Sequence, residues 1–305
     1  MDYNENDRSA FIAIVGKPNV GKSSLLNAML KRKVAIVSQK PQTTRTRVTG
    51  VLTSGDCQLV FTDTPGLLKP RNRLGQFMVR SVLESVSGVD ACLLVVQAGE
   101  KTSPAALELI DTFKEKKMPA VLALNKIDLL ADKSVLMAQI SLLSGLYPFE
   151  AVVPVSAMKG SGVPDLVDEL KKFALPGGHF FDDAAFTDQP DRFLASEMIR
   201  EKFLRFLSAE VPHGVAVVVE QIDDRGNGIT DVSATVYCEK ESHKSILIGR
   251  DGEMIKKVGT LAREDMERFF QCKINLKLWV KVRKNWRDSE AAMRAFGYDN
   301  SAFDK

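Results

Sequence analysis

The chain has 305 residues, 45% of them hydrophobic and 27% charged, with a formal net charge of +3. This is the composition of a globular protein with material for real cores; it excludes collagen-like and disordered classes, and its balanced charge does not by itself identify a nucleic-acid partner. The longest apolar runs, such as 91–96, are far too short to span a bilayer.

The N-terminus, Met1 to Asp7, is polar and acidic and is no signal peptide. Residues 1–10 are expected to be flexible. From 11 to about 173, apolar runs at 11–15, 47–53, 57–62, 91–96, 120–124 and 151–155 alternate with helical patterns at 22–31, 75–86, 104–116, 133–144 and 162–173. Such alternation predicts an α/β domain over 11–175 with a mostly parallel sheet covered on both faces. Ligands in such sheets bind at the carboxyl ends of the strands. A Pro/Gly-rich, polar stretch at 176–190 reads as a linker. A smaller α+β domain follows over 191–290, in the order α-β-β-α-α-β, and a tail closes the chain at 291–305. Cys57, Cys92, Cys238 and Cys272 form no CxxC pair and read as thiols of a reducing compartment. The expected location is the cytoplasm; peripheral contact with the inner face of the cell membrane is left open.

Gly16-Lys17-Pro18-Asn19-Val20-Gly21-Lys22-Ser23 lies between the run 11–15 and the helical pattern from 22. That is the strand–loop–helix context of a phosphate-binding loop. Inward backbone N–H groups form an anion nest, and the helix N-terminus adds its positive end. Lys22 reaches the β- and γ-phosphates, and the Ser23 hydroxyl suits Mg2+. Ser24 joins the expected contact set. A glycine-rich turn without a ligand is the bland alternative, disfavoured by the complete pattern.

Asn125-Lys126-Ile127-Asp128 follows the run 120–124. The Asp128 carboxylate matches the N1–H and N2–H2 donors of guanine, whereas adenine would set a lone pair against it. Asn125 can tie this loop to the phosphate loop, and the Lys126 stem can lie over the base. Ser156-Ala157 ends the next strand, where a backbone N–H can donate to guanine O6. Taken alone, Asp128 could merely cap a helix; between the other two motifs it reads as base recognition.

Asp63-Thr64-Pro65-Gly66 ends the run 57–62. Asp63 can hold a Mg2+ water, and the Gly66 N–H can meet the γ-phosphate. Within Val37 to Arg45 one threonine, Thr44 in preference to Thr43, is expected to close over Mg2+. Lys22, Thr44 and Gly66 form the expected catalytic set, with Ser23, Thr44 and Asp63 on the metal. Many GTPases place a water-orienting glutamine after this glycine; here Leu67 stands there. Either hydrolysis is slow or something else holds the water. K+ is one candidate, with Asn19 as its ligand; equally, Asn19 merely braces the loop.

These strings, with Pro41-Gln42-Thr43-Thr44-Arg45 and with Ser245 to Gly252, Ala262-Arg263-Glu264-Asp265 and Leu278-Trp279-Val280-Lys281-Val282, resemble the Era family of bacterial ribosome-assembly GTPases over about 11 to 290. The resemblance implies a GTPase domain joined to a type II KH domain, GTP and GDP as ligands, Mg2+-dependent hydrolysis, and binding near the 3′ end of 16S ribosomal RNA in the small-subunit precursor. It implies no DNA partner, and a monomer is expected. Arg250 stands where the family usually has lysine, and Gln97 where it usually has aspartate.

The residues of the second domain agree. Gly249-Arg250-Asp251-Gly252 between two helices lets a nucleic-acid strand approach the backbone. In isolation it would be a helix–helix turn. Ile246, Ile248 and Ile255 offer an apolar floor, and Lys256 joins Arg250 as a phosphate partner. Lys273, Lys277, Lys281, Arg283, Lys284 and Arg287 follow with no acid between 270 and 287, so Lys281 and Arg283 extend the expected RNA contact. Trp279 reads as core rather than as a stacking platform.

Overall fold

The apolar runs of the first domain pair into one sheet whose central strands are buried on both faces, with partly buried strands at its edges. The computed structural model describes residues 6–67, 69–132 and 134–299; residues 1–5 of the expected flexible N-terminus and 300–305 of the expected tail lie outside them. The first elements are β1 (Arg8–Val15), α1 (Lys22–Leu30), β2 (Val48–Ser54), β3 (Cys57–Asp63), α2 (Arg73–Ser85), β4 (Ala91–Gln97), α3 (Pro104–Lys116), β5 (Ala120–Asn125), α4 (Ser134–Leu146), β6 (Ala151–Val155) and α5 (Val163–Lys171). The strand order is β2-β3-β1-β4-β5-β6. Only β2 runs antiparallel along that path. The phosphate loop, the 63–67 segment and the 125–128 loop therefore all leave the same edge of the sheet.

Two expected boundaries shift. The flexible N-terminus ends sooner, since Arg8 to Ala10 already pair with Cys57 to Leu59. The expected linker is bound chain. Leu175–Pro176 forms β7, antiparallel to β1, and the Gln58 amide receives the N–H groups of Phe180 and Phe181 at 2.8 and 3.0 Å. The Val51 N–H donates to the Phe186 carbonyl at 2.9 Å. Backbone polar groups on a sheet edge seek partners, and this stretch supplies them.

By contacts the chain divides into two units. The first comprises 1–35, 44–69 and 78–188; the second comprises 36–43, 70–77 and 189–305. The second unit thus takes in two excursions that the sequence assigns to the first domain. Its main elements are α6 (Asp191–Phe206), β8 (Ala216–Asp224), β9 (Ile229–Cys238), α7 (Glu241–Ile248), α8 (Glu253–Phe270), β10 (Lys273–Val282) and α9 (Glu290–Ala295). The sheet order is β10-β9-β8, with β10 parallel to β9 and β8 antiparallel. One sheet face carries Val232, Ala234 and Val236 into a core with Met198, Phe203, Val258, Ala262 and Met266. The excursion 36–43 is hydrogen-bonded to α6. The Glu201 carboxylate accepts from the Val37 N–H at 2.9 Å, Lys40 Nζ donates to the Leu204 carbonyl at 2.5 Å, and the buried Arg200 donates to the Thr43 carbonyl. The expected tail is structured as far as it is described. Ala292, Met293 and Tyr298 are buried, and the fully buried Trp286 donates from its indole N–H to the Gly214 carbonyl at 2.8 Å.

Candidate functional site

Gly16 through Ser23 turn between β1 and α1 in a conformation that needs positive φ at Gly16, Asn19 and Gly21. Gly66 passes so close to this loop that a Cβ there would stand 2.5 Å from the Pro18 nitrogen. The Leu67 N–H donates to the Gly16 carbonyl at 3.2 Å. The phosphate loop and the end of β3 are thus locked side by side, with Lys17 paired to Glu100 at the rim.

Lys22 is buried, and its Nζ donates to the carbonyls of Gly16 and Lys17 at 3.2 and 3.1 Å. Burial pulls its pKa down to about 8, and the Asp63 charge works against that fall. Ser23, Thr44 and Asp63 converge. Ser23 Oγ donates to Asp63 Oδ2 at 2.6 Å, and Thr44 Oγ1 lies 2.9 Å from Ser23 Oγ and 3.3 Å from Asp63 Oδ2. Thr43 Oγ1 turns away and donates to the Lys40 carbonyl at 2.7 Å. Asp63 is fully buried and its Oδ1 has no hydrogen-bond partner. Burial pushes its pKa up, while Lys22 and the two hydroxyls oppose the rise. A buried, unpartnered carboxylate oxygen beside two hydroxyls is a set of hard oxygen donors that suits Mg2+.

The base-recognition residues are tied together from three strands. Asn125 is buried; its Nδ2 donates to the Val20 carbonyl at 2.8 Å, and its Oδ1 accepts the Ala157 N–H at 3.0 Å. Ser156 Oγ donates to Asp128 Oδ1 at 2.5 Å and so aims the exposed carboxylate. Of the Ser156-Ala157 backbone N–H groups expected to serve guanine O6, that of Ala157 is thus engaged by Asn125 and that of Ser156 donates to the Ser161 carbonyl at 2.9 Å, so a bound base must share one of them. Lys126 has positive φ, and its Nζ donates to Gln97 Oε1 at 2.6 Å. The unusual Gln97 accepts a hydrogen bond without adding charge. Sequence reading passed over Glu100 and this role of Gln97, since a lone polar residue after a strand carries no signal.

Leu67 is 3% exposed and packs with Ala13, Val15, Val82 and Val86. The position that bears a water-orienting side chain in other GTPases here faces the core. Leu67→Gln is accordingly expected to leave single-turnover hydrolysis no faster and to cost about 2–4 kcal/mol of stability, from lost apolar burial and an unpartnered amide. Urea unfolding checks the second part; faster hydrolysis at unchanged stability would overturn the placement.

In the second unit, α7 ends at Gly249, and Asp251 and Gly252 adopt left-handed φ of 50° and 79° before α8 starts. A Cβ on Gly249 would meet the Met254 nitrogen at 2.8 Å. Arg250, Asp251 and Lys256 are exposed, and Ile248 is half-buried. Beside this turn lies a groove of about 310 Å³ lined by Ile255, Lys256, Gly259, Arg263, Leu276 and Leu278. Gly259, Arg263, Leu276 and Leu278 were not expected at the RNA site, although Arg263 and Leu278 lie in strings that carry the family resemblance and the alternation in 274–282 sets the two leucines on one face. The same alternation separates Lys281 from the groove. Lys277, Trp279 and Lys281 are exposed and out of phase with Leu276 and Leu278, and Arg283 follows the strand, also exposed. Lys281 thus sits on the far face of the sheet from the helices, and the expected single RNA site is split. Trp279, expected in the core, is 46% exposed.

Comparison with known proteins agrees with both units. A family described as a 50S ribosome-binding GTPase matches residues 11–126, and a KH domain family matches 210–287. GTPase Era of Ruminiclostridium cellulolyticum is 44% identical over 291 residues, covering 95% of this chain and 97% of that protein. GTPase Era of Caldanaerobacter subterraneus is 46% identical, covering 95% and 98%. Among solved structures, a variant of Aquifex aeolicus Era bound to GDP·AlF4− has a TM-score of 0.91 at 35% identity, covering 95% and 99%. Era in complex with MgGDPNP and nucleotides 1506–1542 of 16S ribosomal RNA has a TM-score of 0.92 at 35% identity, covering 96% and 99%.

Proposed function

The chain belongs to the Era family of GTPases, and from that membership we propose that its GTP turnover governs a KH surface bound near the 3′ end of 16S ribosomal RNA during maturation of the small ribosomal subunit. The observation that supports this reading most is the pairing on one chain of a proposed guanine pocket, Asn125–Asp128–Ser156, with a groove of mixed apolar and basic lining beside Gly249–Gly252. The relative carrying a GTP analogue and a 16S segment gives the direction of the RNA assignment.

The residues divide the work as follows. The backbone from Gly16 to Ser23 holds the phosphates, Lys22 bears on the transferring phosphoryl group, and Asp128 selects guanine. Ser23, Thr44 and Asp63 hold Mg2+, which when bound neutralises phosphate charge. The Gly66 N–H follows the γ-phosphate. Arg250 and Lys256 contact RNA phosphates, and Ile248 and Ile255 floor the bases. The chain acts in the cytoplasm as a monomer.

Gly252→Asp tests the RNA half. Its φ of 79° disfavours a side chain, nothing lies within 4 Å of an added Cβ, and the new charge faces phosphate. RNA affinity should fall about 10- to 100-fold with GTP turnover kept, a loss typical of one disrupted phosphate clamp and its neighbouring base. Filter binding and crosslinking in cells with sequencing of the attached RNA read this out; undiminished affinity would refute the KH assignment.

A second reading has GTP as a conformational ligand with incidental turnover, and the core-facing Leu67 favours it. Single-turnover hydrolysis with and without K+, and with and without target RNA, separates the two. Acceleration by K+ that is lost in Asn19→Ala supports a cation at Asn19; a flat, near-zero rate in all conditions supports the ligand reading.

A further inference from the structure

We propose that the open face of the second unit's sheet is a separate contact surface for single-stranded RNA, centred on Trp279. The proposal rests on the RNA-binding reading above and extends it to a face that the groove beside Gly249–Gly252 does not use. β10 is the edge strand of its sheet. Its inward residues, Leu276 and Leu278, line the groove. Its outward residues, Lys277, Trp279 and Lys281, are exposed, and they stand in register beside Ser233, Thr235 and Tyr237 of β9.

An indole left 46% exposed on a sheet, with lysines two residues before and after it, presents a flat aromatic face to solvent between two cations. At this spacing the aromatic ring lies between two cations on one face. A base stacking on the ring would bring its flanking phosphates to those cations. The half-buried Ser233 beside Lys277 offers a hydroxyl to bases or ribose, whereas Thr235 beside the indole is buried, its Oγ1 donating to Glu220 at 2.8 Å. The nearest acid on β9, Asp231, is occupied by Arg225 at 2.6 Å and by Asn275 at 2.6 Å. The other end of this face is closed by the C-terminal extension. The Phe296 ring lies tilted against Tyr237, centroids 4.5 Å apart, and meets the buried Trp286 at 5.4 Å. The free area is therefore a short ledge along β10, and a strand leaving the groove reaches it by crossing one sheet edge. Protein partners also use exposed tryptophans, but the stretch 273–287 carries Lys277, Lys281, Arg283 and Lys284 exposed near the indole, with no acid between 270 and 287, which favours a polyanion.

The test compares two RNA lengths on the full chain. An oligonucleotide of about four nucleotides fills only a KH groove, and one of about twelve is long enough to continue onto the ledge. Trp279→Ala should weaken the longer RNA about tenfold and leave the shorter unchanged, since stacking contributes at about one base. Trp279→Phe should restore most of the loss, and GTP hydrolysis without RNA should not change. Since Trp286 is fully buried and Trp279 exposed, quenching of the solvent-exposed tryptophan emission by the longer RNA alone gives the same answer without a mutation. Equal losses for both lengths, or none for either, overturn the proposal; so does a defect confined to protein partners. Failure of the short RNA to bind the unaltered chain would instead overturn the KH reading itself.

Discussion

Asp128→Asn is expected to lower GTP affinity about 10²–10³-fold, because two charge-assisted hydrogen bonds to guanine are lost and an amide N–H is set against the C2 amine, itself a donor. Xanthosine triphosphate should gain in proportion. Its C2 carbonyl accepts where guanine's amine donates, so the asparagine amide meets a partner. The scaffold should survive, since Ser156 Oγ, now 2.5 Å from Asp128 Oδ1, can donate equally to an amide oxygen. Asn125 keeps its links to Val20 and Ala157, which hold the loop from beneath. Competitive nucleotide binding by calorimetry measures both affinities. Unchanged GTP binding would remove the basis for guanine selection, and a fall in both nucleotides together would point to collapse of the loop rather than to altered pairing.

Lys22→Ala is expected to cut single-turnover GTP hydrolysis about 10²–10³-fold, the usual loss when one preorganised electrostatic stabiliser of the transition state is removed. The lysine is held beneath the loop by the Gly16 and Lys17 carbonyls. On the proposed assignment it would exchange those partners for phosphate oxygens without leaving the site. RNA affinity should persist, because the groove beside Gly249–Gly252 belongs to the second unit. Rapid-quench measurement with excess protein checks the rate, and filter binding checks the RNA. A rate within about threefold of the unaltered chain would deny Lys22 its role, given the size of effect such groups have elsewhere.

Much of the site was legible because phosphate and guanine recognition use short contiguous strings. A loop that must wrap a phosphate with backbone N–H groups needs glycine at set positions, so Gly16, Gly21 and Lys22 announce it. The KH turn is legible for the same reason at Gly249 and Gly252. Trp279 misled, and the face taken by Lys281 was not legible, because a basic run with an aromatic in it does not declare which face of a strand each residue takes until the groove side is known. The linker misled because Pro and Gly mark irregular chain, and irregular chain can still be bound along a sheet edge, as Gln58 does with Phe180 and Phe181.

By itself the sequence determined which strings carry the proposed chemistry: a phosphate-binding loop, a carboxylate proposed for guanine, an aspartate proposed for the metal and a turn proposed for RNA, each set by neighbours in the chain. Tertiary structure alone decided that Thr44 rather than Thr43 meets Ser23, that Leu67 faces the core, that Lys281 lies across the sheet from the groove, and that 36–43 joins the second unit through Arg200 and Glu201. Each of these depends on contact between segments distant in sequence, and a local string carries no information about which distant side chain will fill the space beside it.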